Sequence, residues 1–488
     1  MENNNTNNNE PKPHAILIPY PLQGHVIPAV HLATKLASNG FTITFINTVS
    51  IHHQIINSQP QNTSNNDGDI FAGVRKSGLD IRYMTINDGF PLGFDRSLNH
   101  DQFWEGFRHV FSAHVDDLVG KVVGSDPTLS CLISDTFFVW PSMIAKKYNL
   151  VNISFWTEPA LVFNLYYHMD LLRQNGHFAS LGNNREDPIH YIPGVEAIEP
   201  KDLTSYLQAT DIFTPVHKII YKAFEDVKRA DFIIYNTVQE LESKTISALQ
   251  ENQPTYAIGP IFPSGFTKSP VATSLWSESD CTQWLDAKSH GSVLYVSFGS
   301  YAHASKKDIE EIAYGLLLSK VNFIWVLLPD IVSSEETSVL SVGFEDEIKT
   351  NGRGLIVPWC CQIGVLSHPS IGGFLTHCGW NSILESVWCG VPLLTFPLLT
   401  DQFTNRKLAV DDWKIGVNLG NRCSITRDEV ANNISRLMCG KSSDELRKNI
   451  KEVRKKMENA LARNGSSKKN LKQFINDVKF EICKKCGL

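Results

Sequence analysis

The sequence has no surplus of positive charge. Its 488 residues include 45 Lys and Arg against 51 Asp and Glu, which gives a formal net charge of −6. A protein that binds nucleic acid or an anionic membrane surface normally carries a basic excess. We therefore expect no nucleic-acid partner.

Long hydrophobic runs are also missing. No run of about 18 apolar residues occurs, so we expect no membrane-spanning helix. The first fourteen residues, MENNNTNNNEPKPH, are polar and rich in Asn, and they lack the apolar segment of a signal peptide. The expected state is a monomer in the cytoplasm.

The cysteines do not form a recognisable framework. Ten of them are scattered along the chain, and the one C-x-x-C pair, Cys483 and Cys486, has no second pair to complete a zinc site. Without a secretory signal, reduced thiols are expected rather than disulfides. We expect no metal and no cofactor.

The composition is that of a globular protein, with 42% hydrophobic and 20% charged residues. An apolar run of strand length at 14–20 leads into a turn rich in Gly and Pro, then a helix pattern at 29–40 and a second strand at 41–48. The same order recurs at 291–328, where Ser305 is a candidate N-cap of the helix 305–319. Repeated strand–helix–strand units predict an α/β fold with two doubly wound parallel sheets.

The predicted organisation has five parts. They are a disordered tail (1–13), an N-terminal domain for the acceptor (14–262), a linker (263–275), a C-terminal domain for the nucleotide (276–465), and a C-terminal helix packing back on the first domain (466–488). The linker follows from the Pro-, Gly- and Ser-rich stretch GPIFPSGFTKSP.

Residues that could bind a nucleotide are densest between 355 and 402. The segment GGFLTHCGWNSILESV contains a short strand followed by His377, Gly379 and a helix that begins near 380–382. Free N–H groups at a helix N-terminus bind a diphosphate well, and Gly379 allows close approach to the backbone. Glu385 accepts hydrogen bonds and suits vicinal ribose hydroxyls, and Trp359 offers a flat face for a base.

Each of these residues also has an ordinary structural explanation. A lone Trp such as Trp359 or Trp380 is more often a core residue, and a lone Glu385 is more often a solvated helix residue. The regular spacing of the whole set favours a nucleotide site.

The set resembles the signature box of the plant secondary-product UDP-glycosyltransferases, which runs from a Trp to a final Asp-Gln. The matching residues are Trp359, Gln362, His377, Gly379, Trp380, Asn381, Ser382, Glu385, Asp401 and Gln402. The resemblance also covers the N-terminal Gly-His turn, the SFGS loop and the C-terminal helix, hence nearly the whole chain.

The resemblance implies a GT-B fold, in which two Rossmann-like domains face each other across a cleft. It assigns Trp359 to uracil, Gln362 and Glu385 to ribose, and His377, Asn381 and Ser382 to the diphosphate. It further assigns Trp380, Asp401 and Gln402 to the hexose and places Ser300 near the phosphates. A final Gln rather than His is associated in this family with UDP-glucose.

A catalytic pair is predicted from the first domain. A hydroxyl nucleophile must lose its proton as it attacks the sugar, and the imidazole of His25, in the turn after the first strand, titrates in a suitable range. Asp135, at the end of the strand CLISD, would orient that ring and also matches the family's catalytic Asp. Without the resemblance, a loop histidine and a helix-capping Asp would be preferred.

The predicted activity is inverting transfer from a UDP-sugar, most simply UDP-glucose, to a hydroxyl or carboxyl of a small lipophilic plant metabolite, such as a phenolic or terpenoid. Phe138, Trp156 and Phe163 are candidates for lining the acceptor pocket, or equally for the plain core. The rival hypotheses are a non-catalytic relative that binds nucleotide sugar and small molecule, and a retaining transferase or phosphorylase. No Asp-x-Asp motif is placed to hold a metal.

One departure from the family's common pattern lies beside the uracil platform. The family usually has Ala-Pro between the Trp and the Gln, whereas this chain has Cys360 and Cys361. The loss of proline's fixed backbone angle predicts a less rigid platform.

Overall fold

The computed structural model describes residues 12–58, 69–96, 99–180, 183–262, 274–328, 331–332, 340, 343–420 and 425–487. Most of the predicted tail (1–13) and most of the predicted linker (263–275) lie outside these described residues.

The first half of the chain forms a parallel seven-stranded sheet with the order β3-β2-β1-β4-β5-β6-β7. Its strands are β1 (His14–Ile18), β2 (Thr42–Thr48), β3 (Ile81–Ile86), β4 (Leu129–Asp135), β5 (Val151–Trp156), β6 (Phe232–Tyr235) and β7 (Thr255–Ala257). The strand order reverses direction between β1 and β4, which is the arrangement of a doubly wound sheet.

The second half forms a parallel six-stranded sheet with the order β10-β9-β8-β11-β12-β13. Its strands are β8 (Val293–Ser297), β9 (Asn322–Val326), β10 (Gly354–Val357), β11 (Ile371–Thr376), β12 (Leu393–Thr395) and β13 (Gly416–Asn418). The reversal here lies between β8 and β11. The prediction of two doubly wound parallel sheets is therefore confirmed.

Helices pack on both faces of the sheets. Those around the first sheet are α1 (Gln23–Ala37), α2 (Val49–Ser58), α3 (Ala72–Arg75), α4 (His100–Gly106), α5 (Ser112–Ser125), α6 (Pro141–Lys147), α7 (Ala160–Tyr167), α8 (Met169–Gln174), α9 (Ser205–Gln208), α10 (Pro215–Val227) and α11 (Ser243–Gln250). The later helices are α12 (Thr282–Asp286), α13 (Lys306–Ser319), α14 (Phe344–Asn351), α15 (Gln362–Leu366), α16 (Trp380–Cys389), α17 (Gln402–Lys407), α18 (Arg427–Met438), α19 (Gly440–Leu461) and α20 (Ser466–Cys486).

The start of the first helix differs from the prediction. Residues 21–28 were expected to form a turn, but α1 begins at Gln23 and includes both His25 and Pro28. Pro28 is the sixth residue of this helix, so it removes one intrahelical hydrogen bond, whose acceptor would be the carbonyl of Gly24. His25 therefore belongs to the first turn of a helix and not to a loop.

Other local predictions are confirmed. Ser305 caps α13, since its side chain accepts a hydrogen bond from the N–H of Asp308 at 3.1 Å. Helix α16 begins at Trp380 with Gly379 as its N-cap.

The two halves share apolar packing. One buried cluster contains side chains from both sheets, including Trp156 of the first and Trp380 beside the second. Helix α20 returns to the first sheet, where Leu471, Phe474 and Val478 join the core that surrounds β1 and β2. The two sheets are thus joined by continuous apolar contact.

Candidate active site

The candidate site lies where the strand order of each sheet reverses. His25 follows β1 and Asp135 ends β4, the two strands that flank the reversal in the first sheet. Ser300 follows β8 and His377 follows β11, which flank the reversal in the second. Loops at such a position diverge and leave a crevice beyond the carboxyl ends of the strands, which is where α/β proteins bind ligands.

The structure brings His25 and Asp135 together. The Nδ1 atom of His25 lies 2.7 Å from Oδ2 of Asp135, and the two side chains are only 12% and 3% exposed. The other carboxylate oxygen accepts a hydrogen bond from the N–H of Phe137 at 3.0 Å. Because a carboxylate can only accept, the Nδ1 of His25 carries the proton, and Nε2 is left with a free lone pair.

Sequence reasoning missed other groups around His25. The hydroxyl of Thr157 lies 3.1 Å from the same Nδ1 atom, and the rings of Tyr20 and Phe137 lie 5.6 and 5.9 Å from the imidazole. Thr157 directly follows β5, the neighbour of β4, so the rule that functional residues follow strands would have found it.

Glu158 is a second residue that was missed. Its Oε2 atom is buried and makes no hydrogen bond within the described part of the chain. Burial, together with the nearby carboxylates of Asp401 and Asp135, raises the pKa of Glu158 well above its usual value. A carboxyl held in this way is protonated more readily than an ordinary glutamate, and in its protonated form it can donate a hydrogen bond.

His377 sits tightly between two glycines of the predicted phosphate site. A Cβ atom on Gly299 or Gly379 would lie 2.6 or 2.5 Å from its Nε2 atom, so neither position admits a larger residue without displacing the ring. Burial lowers the pKa of His377 to about 4, which keeps the imidazole neutral at physiological pH. Ser300 is half-buried in the same loop as Gly299.

Three of the residues predicted to bind the UDP-sugar form a hydrogen-bonded group. The Nε2 atom of Gln362 donates to Glu385 Oε2 at 2.8 Å and to Ser382 Oγ at 3.0 Å. Burial raises the pKa of Glu385 to about 7, while the bond from Gln362 acts in the opposite direction. The hydroxyl of Tyr295, on β8, donates to Gln362 Oε1 at 3.4 Å and is the fourth member of the group.

The two cysteines that follow Trp359, the predicted uracil platform, have defined surroundings in the structure. Trp359 is buried, with its ring 6.0 Å from that of Trp276. Cys361 has φ −68°, the angle that proline would impose, and it caps α15. Cys360 is buried and lies 3.7 Å from the Tyr295 hydroxyl. Cys361 therefore has a φ angle that proline could also adopt, and the lower rigidity of the platform stays a prediction.

Asp401 and Gln402 are held by their own loop. Asp401 Oδ1 accepts from the Thr400 hydroxyl at 2.8 Å, and its Oδ2 accepts from Asn405. Gln402 Oε1 accepts from the N–H groups of Leu398 and Leu399 at 2.9 and 3.0 Å. Its amide NH₂ is the group that remains for a ligand hydroxyl.

The N-terminus of α16 contacts the first domain directly. Asn381 Nδ2 donates to the carbonyl of Gly24 at 2.7 Å, and Trp380 Nε1 donates to the carbonyl of Asn236 at 2.8 Å. The Gly24 carbonyl would normally bond the N–H four residues later, but that residue is Pro28, which has none. Pro28 therefore frees the acceptor that joins His25's helix to the predicted diphosphate helix.

Because the indole N–H of Trp380 is already bonded, it cannot serve a sugar hydroxyl. What Trp380 retains for a ligand is its main-chain N–H in the first turn of α16.

Two of the aromatic residues proposed for the acceptor pocket contact the rings that flank His25, since Phe138 lies 5.6 Å from Tyr20 and Trp156 lies 5.2 Å from Phe137. Trp156 and Phe163 are 1% and 0% exposed and pack edge to face in one core cluster. Phe138 is buried in a different cluster, beside Trp140. Of the two interpretations given above, the structure supports the core for these side chains, since a fully packed ring offers no surface to a ligand.

Among the described residues, no group of three His, Cys, Asp or Glu side chains is arranged to hold a metal ion. No helix among them combines the length and the apolar composition that crossing a membrane requires.

The chain resembles known proteins over almost its full length. The sequence profile of the UDP-glucoronosyl and UDP-glucosyl transferase family matches residues 273–455. UDP-glycosyltransferase 86A1 of Arabidopsis thaliana is 62% identical over 477 residues, which cover 96% of this chain and 95% of that protein.

Solved structures show the same architecture. Medicago truncatula UGT71G1, complexed with UDP-glucose, has a TM-score of 0.79 at 25% identity, covering 96% of this chain and 98% of that one. Phytolacca americana UGT2, complexed with UDP-2fluoro-glucose and pterostilbene, has a TM-score of 0.75 at 27% identity, covering 96% and 99%.

Proposed function

This chain belongs to the plant UDP-glycosyltransferase family and has its GT-B fold, and from that membership we propose how it acts. As a UDP-glycosyltransferase it transfers a glycosyl group from a UDP-sugar. We propose that the donor is UDP-glucose and that the acceptor is a hydroxyl or carboxyl of a small lipophilic metabolite. The product would be a β-glucoside formed with inversion at the anomeric carbon.

The observation that carries this proposal is the cross-domain contact between two predicted half-sites. The His25–Asp135 pair stands on the first domain, and the N-terminus of α16 belongs to the second. The 2.7 Å hydrogen bond from Asn381 to Gly24 holds them next to each other, one residue from His25. A base and an anion-binding helix end that meet in one cleft are what a transfer from a nucleotide sugar requires.

In the proposed mechanism, His25 is the general base. Its Nε2 atom takes the proton of the acceptor hydroxyl as the oxygen attacks the sugar C1 from the face opposite UDP. Asp135 keeps the proton on Nδ1 and stabilises the imidazolium that forms. For a carboxylate acceptor, which needs no base, His25 would orient the nucleophile.

The departing diphosphate gains negative charge as the bond to C1 breaks. We propose that the main-chain N–H groups at the start of α16 stabilise this charge, with neutral His377 donating one hydrogen bond. Gln362 and Glu385 would hold the ribose, and Asp401 and Gln402 the hexose. Gln402 and the UDP-glucose bound by the Medicago protein both support glucose as the sugar.

We further propose that residues 14–262 bind the acceptor and residues 276–465 bind the donor, in a cytoplasmic monomer. The half-buried ring of Phe137 beside His25 supports a lipophilic acceptor such as a phenolic or terpenoid. Pterostilbene in the complex of the Phytolacca protein is in keeping with this class.

The proposal is tested by incubating the protein with UDP-glucose, UDP-galactose or UDP-glucuronate and a panel of phenolics, terpenoid alcohols and carboxylic acids. Mass spectrometry should detect a hexose added from UDP-glucose, and NMR of the product should show a β-linkage. An α-linked product would overturn the inverting mechanism. Binding of UDP-glucose without transfer to any panel member would count against the proposed acceptor classes.

Donor binding should depend on pH through Glu385. Its pKa of about 7 means that about half of the carboxyls are protonated at neutral pH. Ribose hydroxyls donate to the ionised form and so lower this pKa on binding. Affinity for UDP-glucose should therefore increase as the pH rises to about 7 and level off above it, by about tenfold for each unit of pKa lowering.

This prediction is checked by calorimetry between pH 5.5 and 8 in buffers of different ionisation enthalpy. UDP-glucose is the suitable probe because its diphosphate is a diester with no ionisation in this range. Proton release near pH 6.5 should disappear in Glu385→Gln. A pH slope that persists in that variant would assign the effect to another group.

A further inference from the structure

A short segment of the first domain holds the loop that carries Asp401 and Gln402. The N–H of Ser205 donates to the carbonyl of Thr400 at 2.9 Å, and the N–H of Thr400 donates back to Ser205 Oγ, also at 2.9 Å. Ser205 is the first residue of α9, so its N–H has no partner inside that helix and is free for this bond. We call this reciprocal pair the Ser205–Thr400 clasp.

The clasp holds a backbone conformation that Thr400 would not adopt unaided. Its φ is +56°, in the left-handed region, where a β-branched residue is strained. Such a conformation persists only when the surroundings determine it, and here both main-chain polar groups of Thr400 are bonded to Ser205.

The strained residue in turn orients Asp401. In this conformation the Thr400 hydroxyl donates to Asp401 Oδ1 at 2.8 Å. The carboxylate is therefore connected to the first domain through two successive links, from Ser205 to Thr400 and from Thr400 to Asp401. Gln402, the next residue, begins α17 and shares this loop.

Other contacts already join α17 to the first domain without touching Asp401. The Thr404 hydroxyl donates to the carbonyl of Asp202 at 2.7 Å, and Arg406 forms a buried ion pair with the Asp202 carboxylate. Domain docking therefore does not depend on the Ser205 hydroxyl, which is aimed at the loop alone.

We propose that Ser205 is a positioning residue for the donor hexose. In this way the first domain helps to recognise the sugar of a UDP-sugar that is bound by the second domain. The inference rests on the proposed function, because it takes Asp401 and Gln402 as the groups that bind the hexose. It predicts that the clasp matters for UDP-glucose and not for UDP, which has no hexose.

Calorimetric affinities of Ser205→Ala for UDP-glucose and for UDP test this prediction. We expect UDP-glucose to bind about tenfold more weakly, the scale of one lost hydrogen bond, and UDP to bind within about twofold of the original chain. Thr400→Val, which keeps the side-chain shape and removes the donor to Asp401, should show the same selective loss. Ser205→Thr, which retains the hydroxyl, should restore the ratio of the two affinities.

Thr404→Val is the matched control, since it removes a hydrogen bond between the same helix and the first domain. It should leave the ratio of the UDP-glucose and UDP affinities unchanged. Equal weakening of both ligands in Ser205→Ala, or no change in either, would overturn the inference while leaving the proposed function intact. An original chain that binds UDP but not UDP-glucose would overturn the proposed function and the inference with it.

Discussion

Replacement of His25 by alanine is expected to lower the turnover of a hydroxyl acceptor by about 10³-fold or more, because the proposed general base is lost. This size of effect is expected because Asp135, 2.7 Å away, fixes the orientation of the ring. The described hydrogen-bonding contacts of His25, to Asp135 and Thr157, are both at Nδ1, so neither group is placed to replace Nε2 as the base. The measurement is single-turnover transfer from UDP-glucose to whichever acceptor the screen identifies.

Affinity for UDP-glucose in His25→Ala should stay within about threefold of the original chain, because the ring is predicted to act on the acceptor. Asp135→Asn is the companion variant. It keeps the size of the side chain but no longer favours the Nδ1–H tautomer, and we expect a loss of roughly 10²- to 10⁴-fold. Retention of a tenth or more of the activity in His25→Ala would remove His25 from the role of base.

The second large effect concerns the domain junction. Arg406→Leu should reduce the free energy of unfolding by about 3 to 5 kcal/mol, because it leaves the carboxylate of Asp202 buried without its partner. Arg406 is 7% exposed and Asp202 3%, so water cannot replace the lost contact. Urea unfolding followed by both circular dichroism and tryptophan fluorescence measures the change and shows whether the two domains unfold together.

Two further variants make this result specific. Arg427→Leu removes a pair with Glu311 in which the arginine side chain is 44% exposed, and it should reduce the free energy of unfolding much less than Arg406→Leu does. Combining Arg406→Leu with Asp202→Leu removes both buried charges and should recover most of the stability. A loss in Arg406→Leu no larger than that in Arg427→Leu would show that the buried pair does not stabilise the junction.

Local features of the site could be predicted because they depend on residues close together in the chain. The strand–helix order around β8 and the cap at Ser305 follow from periodicity and from side-chain chemistry over a few residues. The spacing from Trp359 to Gln402 identified the family, and the profile match and the 62% identity confirm it. The individual roles of those residues stay predictions.

The local errors have physical causes as well. Gly24 and Pro28 predicted a turn because both residues disfavour helix interiors, yet tertiary contact through Asn381 satisfies the carbonyl that Pro28 leaves open. The sequence could not decide between core and acceptor pocket for Trp156 and Phe163, because an aromatic residue produces the same apolar pattern in both. Glu158 and Ser205 were missed because single polar residues show no periodic pattern, whereas Thr157 was missed although it directly follows β5.

By itself, the sequence determined the two α/β sheets, the family and most of the residues from which the site is built, and the resemblance predicted the pairing of His25 with Asp135. Tertiary structure alone decided that Asn381 reaches Gly24 and that Ser205 holds Thr400. Propensity and spacing arise from neighbours along the chain, whereas these contacts arise where the two sheets dock, and docking depends on the packing of surfaces that no local pattern encodes.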